Sequence, residues 1–147
     1  MSRPSRHLAA SAALAAAQYA RTRSIVAAGA AFVTGFLIDV DHFADYALRR
    51  ARPGSTRRLL LLGHGWEYVA PLAVAERRWL GRSTRGSLTL GYVVHLLIDQ
   101  LTNDTRHPFS YLLTYRAARR FDASLFGHSD EDHAWQDASP RGLLRWL

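Results

Sequence analysis

The 147-residue sequence contains neither cysteine nor lysine, and each absence excludes particular kinds of chemistry. Without cysteine there can be no disulfide framework, no thiolate nucleophile and no sulfur ligand for zinc. Without lysine there can be no Schiff-base chemistry and no lysine of a phosphate-binding loop. Any transition metal bound by this chain would therefore have to be held by histidine, aspartate and glutamate.

Long apolar runs and alternating strand patterns are also scarce. The longest apolar run, residues 25–38, is too short to span a membrane. The Ala-rich N-terminus has the outline of a signal peptide, but Gln18 stands where the cleavage pattern needs a small residue. We therefore find no convincing signal peptide and interpret this segment as an ordinary first helix.

Helical periodicity dominates the rest of the chain, and it predicts an all-α fold, a compact bundle of five or six helices. The length predicts one helical domain over residues 1–120, with a C-terminal tail over 121–147 that packs on it or extends from it. Ser24 is a possible N-cap. The predicted helices cover residues 5–20, 23–38, 42–50, 56–80 and 86–103, and the segment YLLTYRAARR is either a helix or extended. The helix over 56–80 could be interrupted around Gly63, Gly65 or Pro71.

The net charge is +7, and all 19 basic residues are arginine. A basic chain suits anionic partners such as phosphoesters, nucleic acid or acidic lipid headgroups. The charge could equally do no more than keep the protein soluble. We do not expect nucleic-acid binding, because the Arg clusters at 49–58, 77–85 and 116–120 lack interleaved aromatics and no helix-turn-helix signature is evident.

The stretch GYVVHLLIDQLTND places His95 and Asp99 inside an apolar helical pattern. Residues four apart point to one side of a helix, and a buried carboxylate is costly unless it is paired or bound to a metal. Asp99 could hydrogen-bond His95 or cap a neighbouring helix, giving a satisfied polar pair in the core. Alternatively, both residues could bind one metal ion, as side chains at this spacing commonly do.

A second polar group follows the apolar helix in GFLIDVDHFADY, which contains Asp39, Asp41 and His42. Carboxylates at a helix C-terminus oppose the helix dipole at a cost of about 0.3–1 kcal/mol each, and a bound cation would reverse that cost. A solvated turn in which Asp41 caps the next helix would give the same pattern.

Two further histidines extend the set. His64 and Glu67 lie three residues apart in LLLLGHGWEYVAPL, and His7 precedes the apolar face of the first helix. A core tolerates one unexplained polar residue, but residues of this kind on four separate helices are hard to satisfy without a shared centre. Because helical bundles build metal sites from facing helices, we predict a polar metal pocket in the core of the bundle.

The succession of His7, DVDH, His64 and HLLID resembles a family of membrane-associated, metal-dependent hydrolases, described in bacteria as LexA-binding, inner-membrane-associated hydrolases. It also looks like the first part of the zinc-dependent phospholipase C fold, an all-helical bundle. The resemblance covers about residues 5–105, although Ile38 replaces the family's proline and His64 matches only the end of its mid-chain motif. A second zinc-binding set is absent, so the resemblance implies one metal ion, or two with His7.

The resemblance implies that a metal is held by Asp41, His64, His95 and Asp99, with Asp39, His42 and His7 as further candidates. Nitrogen and oxygen ligands without sulfur suit zinc, with manganese or iron as alternatives. If Asp39 or Glu67 lies outside the ligand set, either could be the general base for a metal-activated water.

The implied function is a metal-dependent hydrolase that acts on a phosphoester or another anionic, phospholipid-like substrate, in the cytoplasm or at the periphery of the inner membrane. Arg57, Arg58 and Arg106 are the arginines nearest to the motifs in sequence and could hold such an anion. The alternative is a non-catalytic, membrane-associated helical scaffold with a structural metal, whose arginines contact acidic lipid.

Overall fold

The structure is a computed structural model that describes residues 4–51, 58–103 and 105–126. These residues are mostly helical and include no β-strand, which confirms the predicted helical fold class. Short 3₁₀ segments and one π-helical turn lie between or extend the helices. The helices are α1 (Pro4–Thr22), α2 (Ile25–Phe36), α3 (Asp41–Ala51), α4 (Val69–Ala75), α5 (Gly81–Thr84), α6 (Ser87–Thr102) and α7 (Leu113–Ala118).

Helix α2 packs against both α1 and α6. Its N-cap is Ser24, as predicted, since the Ser24 side chain accepts a hydrogen bond of 3.2 Å from the backbone N–H of Ala27. Small residues allow the helices to approach closely, and a Cβ added to Gly35 would lie 2.6 Å from Ser11 Oγ on α1. A Cβ added to Gly91 of α6 would collide with the backbone of α2.

Helix α2 continues through a 3₁₀ turn into α3, and the first 21 residues of this helical stretch, Ile25–Asp45, are its apolar part. By length and mean hydropathy, 1.5, this stretch could cross a membrane, although the apolar run alone is shorter. Only 22% of its most apolar window is buried. Core helices of soluble proteins and signal sequences share this length and hydropathy.

Residues 58–65 form an irregular segment, and the predicted helix over 56–80 is wrong at this end. The backbone N–H groups of Leu60 and Leu61 donate to the carboxylate of Asp45 at 3.0 and 2.8 Å, and that of Leu59 donates to Phe121. Leu59 and Leu61 are buried, whereas Leu62 is exposed. Side chains that alternate in this way suit extended backbone better than a helix.

The hydrophobic core joins α6 to the 58–65 segment and to the chain around α7. Since Leu125 and Phe126 belong to it, the first residues of the predicted tail pack on the domain. Residues 127–147 lie outside the described residues. The buried members of the core are Leu59, Leu61, Tyr92, Leu96, Tyr111, Leu125 and Phe126.

Candidate metal centre

Four imidazoles and two carboxylates meet where α1, α6, the α2–α3 junction and the 58–65 segment come together. Their ligand atoms form two groups that share Asp39, and within each group the atoms lie within 4.8 Å of one another. We call these six residues the His/Asp cluster. The first group is His7, Asp39, His95 and Asp99, and the second group is Asp39, His42 and His64.

His95 is held by a backbone carbonyl of α2. Its Nδ1 lies 2.9 Å from the oxygen of Gly35, and the His95 side chain is fully buried. A carbonyl oxygen can only accept a hydrogen bond, so Nδ1 of His95 must carry the proton. In the neutral ring, Nε2 of His95 therefore presents a lone pair.

His64 is held in the same sense by a carboxylate. Its Nδ1 lies 2.9 Å from Asp41 Oδ2, which also accepts a hydrogen bond of 2.8 Å from the N–H of Gly63. An ionised carboxylate only accepts, so Nδ1 of His64 is protonated as well. A carboxylate that binds the far nitrogen of an imidazole is the usual partner of a metal-ligating histidine.

With both rings neutral, the two lone pairs face each other, because Nε2 of His64 and Nε2 of His95 are 3.0 Å apart. Each lies 3.4 Å from Asp99 Oδ2, and Asp39 Oδ1 is 3.4 Å from His64 and 3.5 Å from His95. Four acceptor atoms this close repel one another unless a positive charge lies among them. A proton on one ring or a metal ion would provide that charge.

The pKa of His64 indicates that a proton on its ring could supply this charge in place of a metal ion. Burial alone would lower this pKa, but hydrogen bonds with Asp39 and Asp41 outweigh the burial and raise it to about 9. The two carboxylates therefore favour a positive charge at this buried site.

Asp99 lies at the base of the cluster and is almost fully buried. Its Oδ1 is 3.1 Å from Nε2 of His7 and accepts a hydrogen bond of 3.0 Å from the side-chain amide of Asn103. Burial alone would raise the pKa of Asp99, but hydrogen bonds with His7 and His95 hold it well below its usual range. The ring of His7 stacks on that of His95, with centroids 4.1 Å apart.

Asp39 and His42 form the side of the cluster that solvent reaches. Their side chains are 29% and 23% exposed, compared with at most 1% for His7 and His64. Burial alone would raise the pKa of Asp39, but hydrogen bonds with His42 and His64 outweigh it and lower the pKa well below the usual range. A small molecule would therefore approach the cluster past Asp39 and His42.

The backbone of the segment that carries His64 is fixed by a buried arginine. Arg116 of α7 is fully buried and donates hydrogen bonds of 2.9 Å to the carbonyls of Leu60 and Leu61, and a further one to that of His64. Burial lowers the pKa of Arg116, and nearby acidic groups including Asp41 oppose that effect. Arg116 therefore positions His64 rather than meeting solvent.

Tyr92 of α6 fixes the same segment from another direction. Its hydroxyl lies 2.8 Å from the carbonyl oxygens of Gly63 and Gly65 and accepts a hydrogen bond of 3.1 Å from the N–H of Gly65. Burial raises the pKa of Tyr92 to about 12, so the hydroxyl remains a donor at neutral pH. Tyr92 thus holds the backbone on both sides of His64.

The structure brings together six of the eight residues singled out in the sequence. The other two, Asp41 and Glu67, belong to neither group of ligand atoms. Asp41 was expected among the metal ligands, but it lies behind His64, where its Oδ2 is engaged with Nδ1 of His64 and the Gly63 N–H. The six that converge are His7, Asp39, His42, His64, His95 and Asp99.

Glu67, a candidate general base, belongs to neither group of ligand atoms. Its carboxylate accepts hydrogen bonds from the N–H of Leu113 at 2.9 Å and from the N–H and hydroxyl of Thr114, both at 2.8 Å. These partners lie at the start of α7, so the structure assigns Glu67 to capping that helix. Burial alone would raise the pKa of Glu67, but these bonds lower it, which further disfavours proton uptake.

Apart from Asp41, which the resemblance implies as a ligand, sequence reasoning did not identify the residues that position the ligands. Asp45 had a weak signal, since it lies one helical turn after Asp41 in DVDHFAD. Arg116 had none, because it is one of 19 arginines and its burial depends on tertiary packing. Of the arginines proposed to hold an anion, Arg58 and Arg106 are exposed and Arg57 lies outside the described residues.

Comparison of the chain with protein-family models, with curated proteins and with solved structures found no match. The resemblance to the hydrolase family therefore stays a prediction from sequence motifs. What the structure itself defines is a helical protein with His and Asp residues arranged so that they could bind a metal ion.

Proposed function

We propose that the His/Asp cluster binds a divalent cation and that the protein is a metal-dependent hydrolase. The observation that carries this proposal is the 3.0 Å separation of Nε2 of His64 and Nε2 of His95, both of whose Nδ1 atoms are engaged with acceptors. A metal ion among these lone pairs would turn the repulsion of four acceptors into coordination. Buried charges in proteins are paired or bound to metals for the same reason.

The residues present fit such an ion. His64, His95, Asp39 and Asp99 offer two imidazole nitrogens and two carboxylate oxygens, which are ligand types that zinc accepts. Manganese and iron accept the same set, so ligand type alone favours zinc without selecting it. When bound, such an ion supplies a Lewis acid that activates water and polarises an electrophile.

The chain's own residues define how the site would work. Asp41 and the Gly35 carbonyl fix the imidazole orientations, and Asn103 fixes Asp99. The exposed side at Asp39 and His42 gives access to a small substrate. A net charge of +7 favours an anion. Together with the sequence resemblance, these features support a phosphoester or a similar anionic substrate.

Metal analysis of the purified protein tests the proposal directly. We expect zinc, manganese or iron to co-purify at one ion or more per chain, and a chelator to lower the unfolding temperature. A His95→Ala variant should lose this metal. A His107→Ala variant is the matched control, because His107 lies outside both ligand groups and stacks on Tyr115. Protein without metal, and with a chelator-insensitive unfolding temperature, would contradict the proposal.

Hydrolysis is tested separately with generic phosphoesters, such as the nitrophenyl esters of phosphoric acid. The wild type and His107→Ala should release nitrophenol, and His95→Ala should not, although its circular dichroism remains helical. Metal binding without hydrolysis of any ester would favour the scaffold alternative.

A specific observation favours membrane association as a second candidate function, with or without catalysis. Exposed apolar side chains form a stripe along one side of Ile25–Asp45, and from Val26 onward they are spaced by seven, four, three and three residues. Exposed apolar patches of this kind mark interaction surfaces. The Asp residues near the end of the same stretch contact the 58–65 segment, which suits a helix lying on a membrane better than one crossing it. The stripe contains Ile25, Val26, Val33, Leu37, Val40 and Phe43.

Flotation with lipid vesicles tests this second function. The protein should float with vesicles rich in phosphatidylglycerol and much less with pure phosphatidylcholine, because the chain is basic. A double variant, Val33→Glu with Leu37→Glu, should reduce flotation severalfold without unfolding, since both side chains are about half exposed. Tyr19→Glu on α1 is the control outside the stripe. Equal flotation of wild type and double variant would contradict membrane docking through this stripe.

A further inference from the structure

An open cavity of about 720 Å³ lies beside the start of α6. It is bounded by the end of α4, by the π-helical turn Glu76–Leu80 that extends α4, by α5 and by α6. None of the six residues of the His/Asp cluster lines it. Its volume is within the range of about 300–1,000 Å³ that small-molecule sites have, and π-helical turns are frequent at functional sites. We call it the arginine cavity.

Three arginines line this cavity, namely Arg77, Arg82 and Arg85. Arg77 and Arg82 are exposed, and no carboxylate within the described part of the chain pairs with either of them. Arg85 donates a hydrogen bond of 3.3 Å to the backbone carbonyl of Thr22, which is neutral and leaves the charge of the guanidinium uncompensated.

Glu76 also lines the cavity, but its carboxylate is engaged elsewhere. It accepts hydrogen bonds from the N–H of Leu88 and from the N–H and hydroxyl of Thr89, and Glu76 is only 3% exposed. Neither of its oxygens is left for an arginine. The lining residues therefore carry a net positive charge that an anion could balance.

The walls next to the arginines are apolar. Ala73 of α4 and Leu90 and Val93 of α6 line the cavity. Trp79 and Leu80, on the π-helical turn, are exposed as well. An inorganic anion would pair with the arginines but leave this apolar surface in water, whereas an alkyl chain would cover it. The cavity therefore suits a molecule that has both a negative charge and an apolar chain.

We propose that the arginine cavity binds an amphipathic anion, which consists of an alkyl chain with a phosphate or carboxylate head. The head lies at Arg77 and Arg82, because each guanidinium presents paired N–H donors that match the oxygens of such a head. The chain lies along the apolar wall. This inference goes beyond the proposed function, since it needs neither the metal nor any residue of the His/Asp cluster.

Calorimetric titration of the full chain with octylphosphonate is the test. The C–P bond of this probe is not an ester bond, so an ester hydrolase would not consume it. We expect one octylphosphonate per chain. Methylphosphonate has the head without the chain, and octanol has the chain without the charge, so each should bind about tenfold or more weakly. Octylphosphonate that does not bind, or that binds no better than these two compounds, would overturn the inference.

A pair of double variants locates the head. Arg77→Gln with Arg82→Gln should weaken octylphosphonate binding about tenfold or more, and the fold should persist because both side chains are exposed. Arg6→Gln with Arg119→Gln removes the same charge from exposed positions outside the cavity and should bind as the wild type does. Equal weakening in both double variants would assign binding to net charge and overturn the inference.

A second pair of variants leaves every charge in place. Ala73→Trp fills the cavity from an exposed position and should abolish octylphosphonate binding. Val74→Trp changes the next residue, which is 65% exposed and does not line the cavity, and should leave binding unaltered. Unchanged affinity in Ala73→Trp would place the probe elsewhere and overturn the inference.

Two other sites for the anion are tested in the same titration. His95→Ala should keep the affinity of the wild type, and a loss there would place the probe at the metal centre. Residues 130–132, outside the described residues, are all acidic. Octylphosphonate that binds only after Asp130→Asn, Glu131→Gln and Asp132→Asn would assign the cavity to the chain's own acidic segment. Either result would overturn the inference.

Flotation with vesicles that contain phosphatidate identifies the source of the anion once octylphosphonate binding is established. If the source is a bilayer lipid, Arg77→Gln with Arg82→Gln should float less than Arg6→Gln with Arg119→Gln. If the source is a free molecule, the two double variants should float equally. Both results support the arginine cavity, because both require that the first double variant has lost octylphosphonate.

Discussion

His64 shows how the surroundings of one residue determine what it can bind. Asp41 and Arg116 hold its ring and its backbone carbonyl, so Nε2 of His64 has no freedom to turn away from His95. Four of the seven histidines of the chain belong to the same cluster. The chemistry of the site therefore depends on orienting contacts as much as on the ligands themselves.

Asp41→Ala tests this dependence. Removing the carboxylate frees Nδ1 of His64 and the Gly63 N–H, so metal affinity should fall about 10–100-fold while the ligands remain. Competition against a chromophoric chelator measures the change. Asp122→Ala, whose carboxylate binds the Ser124 N–H instead, should leave the affinity unaltered. An Asp41→Ala affinity equal to that of the wild type would show that Asp41 does not orient His64.

We expect the single residue Arg116 to contribute strongly to the stability of the fold. Replacing it by methionine leaves the carbonyls of Leu60, Leu61 and His64 without their buried donor, and should cost about 3 kcal/mol or more of unfolding free energy. Arg119→Met, at an exposed position of the same segment, should change it by less than about 0.5 kcal/mol. Urea denaturation measures the unfolding free energy of both variants. Small and similar losses of unfolding free energy in the two would contradict the positioning role of Arg116.

At the scale of elements, the close approach of α2 and α6 places His95 against the Gly35 carbonyl. Gly91 lies one turn before His95, at a point where α6 touches the α2 backbone. The identity of the polar residues could be read from the sequence, because imidazoles and carboxylates within apolar helices need partners. The role of each polar residue could not be read from the sequence. Asp39 and Asp41 lie two residues apart, and only the structure shows that Asp39 joins the ligand atoms whereas Asp41 orients His64.

Gly91→Ala should separate the two helices. The added Cβ would meet the carbonyl of Ala31, which cannot move without displacing α2. We therefore expect the free energy of unfolding to fall by about 1–3 kcal/mol and metal binding to weaken. Gly29→Ala on α2 has open space around the added Cβ and should be neutral or stabilise by up to about 1 kcal/mol. Thermal or urea unfolding distinguishes them, and a neutral Gly91→Ala would contradict the close approach.

Glu76 links the end of α4 to the start of α6, and its effect depends on pH. Its buried carboxylate accepts hydrogen bonds from the N–H of Leu88 at 2.9 Å and from the N–H and hydroxyl of Thr89 at 2.8 and 2.6 Å. Burial alone would raise the pKa of Glu76, but its hydrogen bonds lower it below 4.5. The ionised carboxylate thus stabilises the fold fully above about pH 4.5.

Glu76→Gln should therefore lower the free energy of unfolding by about 1.5–3 kcal/mol at pH 7. Because the folded-state pKa of Glu76 is lowered, the difference from the wild type should narrow as pH falls below 4.5, where the wild type begins to lose this stabilisation. Urea midpoints at several pH values measure it. A difference that stays constant down to the acid-unfolding region would show that ionisation of Glu76 contributes nothing.

At the scale of the whole molecule, the chain combines a buried cluster with an exposed apolar stripe. The helical class could be predicted from periodicity. The irregular conformation of residues 58–65 could not, because four consecutive leucines favour a helix. Contacts with Asp45, Phe121 and Arg116, all distant along the chain, keep it irregular. That irregular segment is what brings His64 to the centre.

The most direct test of this account is an anomalous difference map from crystals of the zinc-loaded protein. We predict a peak about 2.0–2.1 Å from Nε2 of both His64 and His95, with oxygens of Asp39 and Asp99 completing the coordination. Zinc bound only at surface sites, with these two nitrogens still in direct contact, would contradict the claim that separate helices share one metal centre.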